Sequence, residues 1–365
     1  MPQLFGKSWS KKELLRYLGD IQQVAGAKRF EYSEGKATGV SGVDIRTGAG
    51  LEFTVLPGRG MDIPMATYRG IPLTYASATG VTHPSYYESN GLGWMRSFFV
   101  GLLTTCGMRN IGPPGEDEQE SYGIHGRISN TPAEDVSLDQ AWDGDEYRIR
   151  LKGSLREARF FFENLVLTRT VETKLGWKKF LLTDVVENRG FEAQPNLLLY
   201  HFNFGYPLLG PNARVVAPIN RTEPRDDEAA KDRGVETCHE FIEPQDRYLE
   251  KVFFHDLAQD NTGNTFAAIT NRDIGNGTPL GVIIRFDKQS LPTCTQWKLM
   301  EQGRYVLGLE PGTAIPLGRE VLQKQETLPM IAPQQEHSMK LEVEVIDSVE
   351  EIEEIEKEAQ QLKQS

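Results

Sequence analysis

The chain has little of what builds a disulfide-held or zinc-held protein. Its three cysteines, Cys106, Cys238 and Cys294, stand far apart in 365 residues. They are odd in number and form no C-x-x-C pair, so neither a disulfide framework nor a zinc ribbon is indicated. No two histidines stand at i, i+2 or i, i+4, and no H-E-x-x-H occurs, so no metal is expected. Phosphate-binding signatures are missing as well: there is no G-x-x-x-x-G-K-[ST] and no G-x-G-x-x-G in a strand-to-helix setting. A G-x-S-x-G nucleophile elbow is also absent. No cofactor is expected from these absences. No window approaches the roughly 18 apolar residues of a membrane span. The first residues carry Lys7, Lys11, Lys12 and Glu13 but no long apolar stretch, so no signal peptide is read there and the expectation is a cytoplasmic protein. Positive charge is in deficit, with a net charge of −12, which argues against nucleic acid or an anionic membrane as partner.

What is present is material for a large β-rich core. Hydrophobic residues make up 39% of the chain and there are 35 glycines, enough for many strands and turns. Leu51, Phe53 and Val55 alternate with Glu52 and Thr54, as do Tyr147, Ile149 and Leu151 with Arg148 and Arg150, and Leu341, Val343 and Val345 with Glu342 and Glu344. Period-two alternation of this kind predicts half-buried strands. Further strands are predicted at 163–172, 178–187, 196–204, 264–270, 280–286, 294–299 and 304–309. Many strands with few helical patterns between them predict an all-β fold of packed antiparallel sheets.

Helices are predicted at the ends. Ser10 and Glu13 form a capping box before Leu14, Leu15, Leu18, Ile21 and Val24, which predicts a helix over 8–25. A second box, Ser348 and Glu351, precedes Ile352, Ile355, Ala359 and Leu362. That stripe could dock on the body or meet a partner chain in a homodimer. The division that follows is an N-terminal helical arm (1–27), a β domain (28–347) and a C-terminal amphipathic helix (348–365). Two irregular stretches, 76–121 and 219–250, interrupt the strands, with a short helix predicted near 94–104. Loops of that length within a compact β protein are usually functional or mobile, and a solvated insertion is the equal alternative.

Four short stretches hold the chemistry-bearing residues. The segment 195–209 reads as a strand apolar on both faces, yet it carries His201 at its centre. Asn203, two residues on, shares the same face. A titratable ring in such a strand needs partners, and alone it reads as a core histidine. Pro57-Gly58-Arg59-Gly60-Met61-Asp62 places a guanidinium, with its five donors, on a glycine-flanked turn. Gly123-Ile124-His125-Gly126-Arg127 places a second histidine between glycines that admit close approach of a ligand. Gln296-Trp297 is followed by Tyr305-Val306-Leu307-Gly308-Leu309-Glu310-Pro311-Gly312, an apolar run ending in one carboxylate. An acid–base pair of His201 and Glu310, another His, an Arg and an aromatic platform together suit a neutral polyol.

In this order the four stretches resemble the galactose mutarotase (aldose 1-epimerase) superfamily, and most of all its aldose-1-epimerase-like bacterial branch. The resemblance covers roughly 28–346. It implies a β-supersandwich of two large twisted, mostly antiparallel sheets with a sugar cleft on one face. It implies cofactor-independent interconversion of sugar anomers, an isomerase activity in carbohydrate metabolism. In that reaction His201 is the general acid at the ring oxygen and Glu310 the general base at the anomeric hydroxyl. Arg59 and His125 then hold the sugar, Trp297 walls the cleft, and Arg127 and Asn203 join them as substrate-binding residues. The family also uses an acidic substrate-binding residue between the acid and the base, for which Asp226, Asp227, Asp246 and Asp256 are candidates. The sequence around His201 departs from the Asn-His motif of the best-known mutarotases. Two other functions fit the same scaffold: carbohydrate binding or sensing without turnover, and an enzyme acting on acidic or modified sugars, for which Arg59, Arg109 and Arg127 would supply cations.

Overall fold

The computed structural model describes residues 1–117, 120–275 and 277–364. Among them, two antiparallel sheets face each other across one hydrophobic core. The larger sheet has 11 strands. Across its middle run Lys251–Leu257, Thr293–Glu301, Arg304–Gly312, Leu197–Phe204, Leu103–Met108 and Asp62–Tyr68. Leu51–Leu56, Ser41–Arg46 and Gly26–Glu31 continue it to one edge. The second sheet has 8 strands, in the order Glu134–Asp143, Glu146–Ala158, Asn164–Lys174, Lys179–Asn188, Glu336–Ile346, Leu280–Asp287, Asn264–Asn271 and Ala213–Val216. This is the sandwich of packed antiparallel sheets that the sequence predicts, and the alternating patterns read in the sequence lie on its strands.

The strand Leu197–Phe204 lies at the centre of the larger sheet and all of its residues are buried. Its Leu198, Tyr200, Phe202 and Phe204 face the core between the sheets. Leu197 and Leu199 face the other way, into a second apolar cluster with Trp94, Ile111 and Leu322. The strand is therefore covered on both sides, which is why its sequence is apolar at nearly every position.

A charged bridge crosses the core directly beneath this strand. Arg169, on the smaller sheet, is fully buried and holds Asp184 through Nε (2.9 Å) and Nη2 (2.6 Å). Its Nη1 reaches Asp62 (3.2 Å) and the Thr105 hydroxyl (2.8 Å) on the larger sheet. The Tyr200 hydroxyl donates to Asp184 (2.8 Å). Asp62 also accepts from the backbone and hydroxyl of Thr105. Its burial nevertheless pushes its carboxyl up to about 7.

Two helical expectations are revised. The N-terminal helix spans only Lys11–Leu14, under its capping box. Gly19 follows, and Asp20 then caps a separate 3-10 turn, Ile21–Gln23. Leu18, Ile21 and Val24 still pack on the core without helical periodicity. Near 94–104 the structure has a 3-10 turn, Gly93–Arg96, and then the strand Leu103–Met108. Between them Val100 and Gly101 take left-handed φ values of 68° and 65°, which no α-helix continues through. A Cβ on Gly101 would stand 2.6 Å from the Ile63 carbonyl oxygen.

At the C-terminus, Ser348 caps the helix Val349–Leu362. Ile352, Ile355 and Ala359 pack on Phe266, Ala268, Ile283 and Ile346, on the outer face of the smaller sheet. Arg285 clamps Glu358 with two hydrogen bonds (2.5 and 2.8 Å). Residue 365 of the segment 348–365 lies outside the described residues. Among the described residues no helix is long and apolar enough to cross a membrane.

Candidate active site

Three neighbouring strands of the larger sheet build the site. Register sets Asn203 opposite Gly308 and Gly308 opposite Trp297. With side chains alternating along each strand, His201 and Asn203, Gly308 and Glu310, and Thr295 and Trp297 share the face that points away from the core. His201 Nε2 stands 3.2 Å from Glu310 Oε1, and both side chains are almost wholly buried. Gly308 makes room for the pair. A Cβ there would lie 2.5 Å from Glu310 Oε1 and 3.2 Å from His201 Cε1.

Aromatic rings wall the pair in. The Phe98 and Trp297 rings each lie 5.4 Å from that of His201, and the His125 ring lies 6.0 Å away. Trp94 stacks on Phe98 at 4.3 Å and meets His125 at 4.9 Å. His125 comes from the loop beside the strand end and has φ 58°, a strained value for a residue with a Cβ. Backbone bonds to two segments hold it there: its N–H donates to Gly112 O (3.0 Å), and its carbonyl accepts from Gly107 N–H (2.9 Å). Gly112 N–H donates to His125 Nδ1 (3.3 Å). In a neutral ring this leaves the proton on Nε2, free to donate to a ligand.

Desolvation sets the charge state. It pushes His201 down to about 3, with His125 lowering it further, and pushes His125 down to about 4. It raises Glu310 well above the usual carboxylate range, and the charge of Glu250 adds to the rise. Because both histidines are depressed below the free value, each contributes stability that is complete above about pH 6.5 and is lost as pH falls through its folded value. A ring-proton NMR titration is expected to find His201 and His125 neutral down to about pH 5. A full protonation shift of either ring with its midpoint near the free value contradicts this.

On this face Thr295 Oγ1 is buried without a partner, and His201 Nδ1 and Asn203 Oδ1 have none besides each other. Orphans of this kind are rare in a settled core. Asn203 Nδ2 donates to the His201 carbonyl (2.7 Å) and to Val100 O (3.2 Å), tying the strand to the loop that carries Phe98.

Of the residues singled out from sequence, His125, His201, Asn203, Trp297 and Glu310 meet in this cluster. Arg59 does not present its guanidinium to it. That side chain is 1% exposed and donates to the carbonyls of Ser129 (2.8 Å), Thr82 and Ser97 (3.1 Å). It clamps the loop that carries Trp94 and Phe98 from beneath. Arg127 is exposed. Arg109 is buried against Glu120 and Glu163.

The candidate acidic residues also lie elsewhere. Asp226 caps the turn Asp227–Ala230 and pairs with Arg225, and Asp256 holds Lys288. Asp227 and Asp246 are exposed. Glu250, which is not among these candidates, accepts from Trp297 Nε1 (2.9 Å) and from Arg225 Nη2 (2.9 Å), the guanidinium that also holds Asp226. Sequence reading missed Glu250, Trp94 and Phe98. The density of aromatic residues in Gly-Trp-Met-Arg-Ser-Phe-Phe, 93–99, was the only signal for the last two.

The fold is that of the galactose mutarotase-like proteins. Residues 37–345 match the family described as a domain of unknown function, DUF4432, and the chain belongs to that family. Among solved structures it is similar to a Klebsiella pneumoniae protein provisionally assigned as an aldose 1-epimerase. The TM-score is 0.87 at 27% identity, over 94% of this chain and 90% of the other. A galactose mutarotase-like protein from Clostridium acetobutylicum matches with TM-score 0.61 at 16% identity, over 89% and 100% of the two chains. The galactose 1-epimerase of Lactobacillus acidophilus matches with TM-score 0.55 at 12% identity, over 89% and 99%. These last two likenesses show the fold. No curated protein matches the chain.

Proposed function

We propose that the protein is a cofactor-independent aldose 1-epimerase or a close sugar isomerase, with His201 and Glu310 as its catalytic residues. The observation that carries this reading is the 3.2 Å approach of His201 Nε2 to Glu310 Oε1 inside an aromatic-walled recess. Anomer interconversion must protonate the ring oxygen and deprotonate the anomeric hydroxyl. Both oxygens are bonded to C1, so the acid and the base that serve them must be close neighbours.

Desolvation favours the neutral form of the empty pair, imidazole and carboxylic acid. A bound sugar supplies hydrogen bonds that support the charged form, in which His201 gives a proton to the ring oxygen and Glu310 takes one from the anomeric hydroxyl. The ring opens to the free aldehyde and the C1–C2 bond rotates. Closure on the other face reverses the two roles, so each cycle restores the starting protonation state. His125 Nε2–H steadies the sugar. Trp297 and Phe98 pack on its C–H faces, and Glu250, bonded to Trp297, takes the acidic substrate-binding role. With Arg59 and Arg109 both engaged in the body, a neutral aldose suits the recess better than an acidic sugar.

The test is polarimetry on freshly dissolved anomers of a panel of neutral aldoses and uronates. Catalysis of a neutral aldose above the spontaneous rate supports the reading. Saturable binding with a flat trace supports a sensing protein instead. Gly308→Ala is expected to keep the cooperative thermal transition, because the nearest atom it meets is the far end of the Glu310 side chain, which can turn aside, and to cut the catalysed rate by about 10²-fold through displacement of Glu310. An unchanged rate would show that the close packing at Gly308 is irrelevant to turnover.

A further inference from the structure

Glu157 lies outside the recess, on the strand Glu146–Ala158 of the smaller sheet, and has no part in the acid–base chemistry. It is 8% exposed, and its Oε2 reaches across to the larger sheet to accept from Met108 N–H (3.1 Å). That N–H sits on the peptide joining Gly107 to Met108. Gly107 is the rail along which His125 is laid: its N–H donates to His125 O and its carbonyl accepts from Arg127 N–H, each at 2.9 Å. The two segments touch so closely that a Cβ on Gly126 would stand 2.2 Å from Gly107 O. The contact is backbone on backbone, so a shift of the 107–108 peptide bears directly on the segment that carries His125.

We propose that Glu157 is a positioning residue for His125, acting through the peptide between Gly107 and Met108, and that its protonation state adjusts how His125 meets the sugar. The proposal rests on the reading of His125 as a sugar-holding group. The charged groups that act on the Glu157 carboxyl are Arg109 and Arg127, which lower it, and Glu163, which raises it. Tyr87, which also senses its charge, donates its hydroxyl to Gly126 O (2.9 Å), beside His125. Burial is the largest influence on Glu157 and pushes it up to about 7, against the lowering effect of the Met108 N–H and Arg109. It therefore changes charge where His125, depressed to about 4, does not.

The experiment is a pH titration of the His125 ring resonances in the full, sugar-free chain, assigned with His125→Asn. It is run on the wild type, Glu157→Gln and Glu157→Leu. In the wild type the His125 signals are expected to inflect near pH 7. Glu157→Gln, which keeps an acceptor for Met108 N–H, is expected to abolish the inflection while holding the shifts near their wild-type position. Glu157→Leu, which has no acceptor, is expected to displace or broaden them. On a sugar the wild type turns over, Glu157→Leu is expected to raise KM about tenfold with kcat within about twofold, and Glu157→Gln to restore KM.

Wild-type His125 signals without an inflection that Glu157→Gln removes would overturn the proposal, and this comparison does not depend on Glu157→Leu folding. Equal KM values for Glu157→Leu and wild type would overturn it as well. If the wild type turns over no sugar, the ring titration still decides the link between Glu157 and His125, and the loss falls on the proposed function alone.

Discussion

Glu310→Gln is expected to lower the enzyme-catalysed rate of anomer interconversion by about 10²- to 10⁴-fold, the usual range for loss of a general acid or base. The amide keeps the shape of the side chain and its contact with His201 but can neither accept nor carry the transferred proton. The loss should therefore fall on kcat, with KM little changed. His201→Asn should cost a similar factor. The double variant should be scarcely worse than either single one if, as proposed, the two groups move protons as a unit. Thermal melts would show whether the variants stay folded. Both carry buried neutral amides in place of groups that desolvation already holds near neutrality, so stability should be retained. A product of the two single losses in the double variant would argue that the residues act independently.

The largest expected effect on stability lies one layer beneath the site. Arg169→Met should lower the free energy of unfolding by about 3–5 kcal/mol, the range for breaking one side of a buried ion pair. Met fills much of the volume, so the loss is chiefly electrostatic. Asp62, already pushed up to about 7, can take a proton, but Asp184 and the Tyr200 hydroxyl lose the cation around which they are arranged. Replacing Arg169 and Asp184 together with apolar residues should cost less than Arg169→Met alone, since no charge is then stranded. Urea unfolding with an unchanged m-value would measure both. A loss below about 1 kcal/mol for Arg169→Met would place the bridge among interactions that contribute little net stability. Tyr200 and His201 are adjacent on one strand and face opposite sides. The bridge therefore anchors, from the core side, the backbone that presents the imidazole.

Much of this was legible in the sequence. Period-two patterns located the strands because each buries one face. The segment 195–209 stood out because its strand is buried on both. His201 and Asn203 could be put on one face by alternation alone, and Glu310 could be put at the end of a strand. Their meeting could not be read, because it depends on register between strands more than 100 residues apart in sequence. Arg59 shows a different limit. A guanidinium between two glycines can point toward a ligand or toward the body, and the three carbonyls that hold it come from residues 23 to 70 positions away. Trp94 and Phe98 sit in a loop without periodicity, where aromatic density is the only clue. Glu250 gave no clue, since its place is set by Trp297 and Arg225. The N-terminal pattern carried a correct cap but a false length. Leu18, Ile21 and Val24 reach the core from irregular backbone.

The central claim is that the His201–Glu310 recess opens and closes a sugar ring. Magnetisation exchange between the α and β anomeric protons of a neutral aldose at equilibrium measures that step without a coupling enzyme or an added reagent. The account predicts exchange in the presence of the wild-type protein well above the buffer rate, saturating with sugar and returning to the buffer rate with Glu310→Gln. Exchange at the buffer rate for every neutral aldose tried, or undiminished exchange with Glu310→Gln, would contradict it.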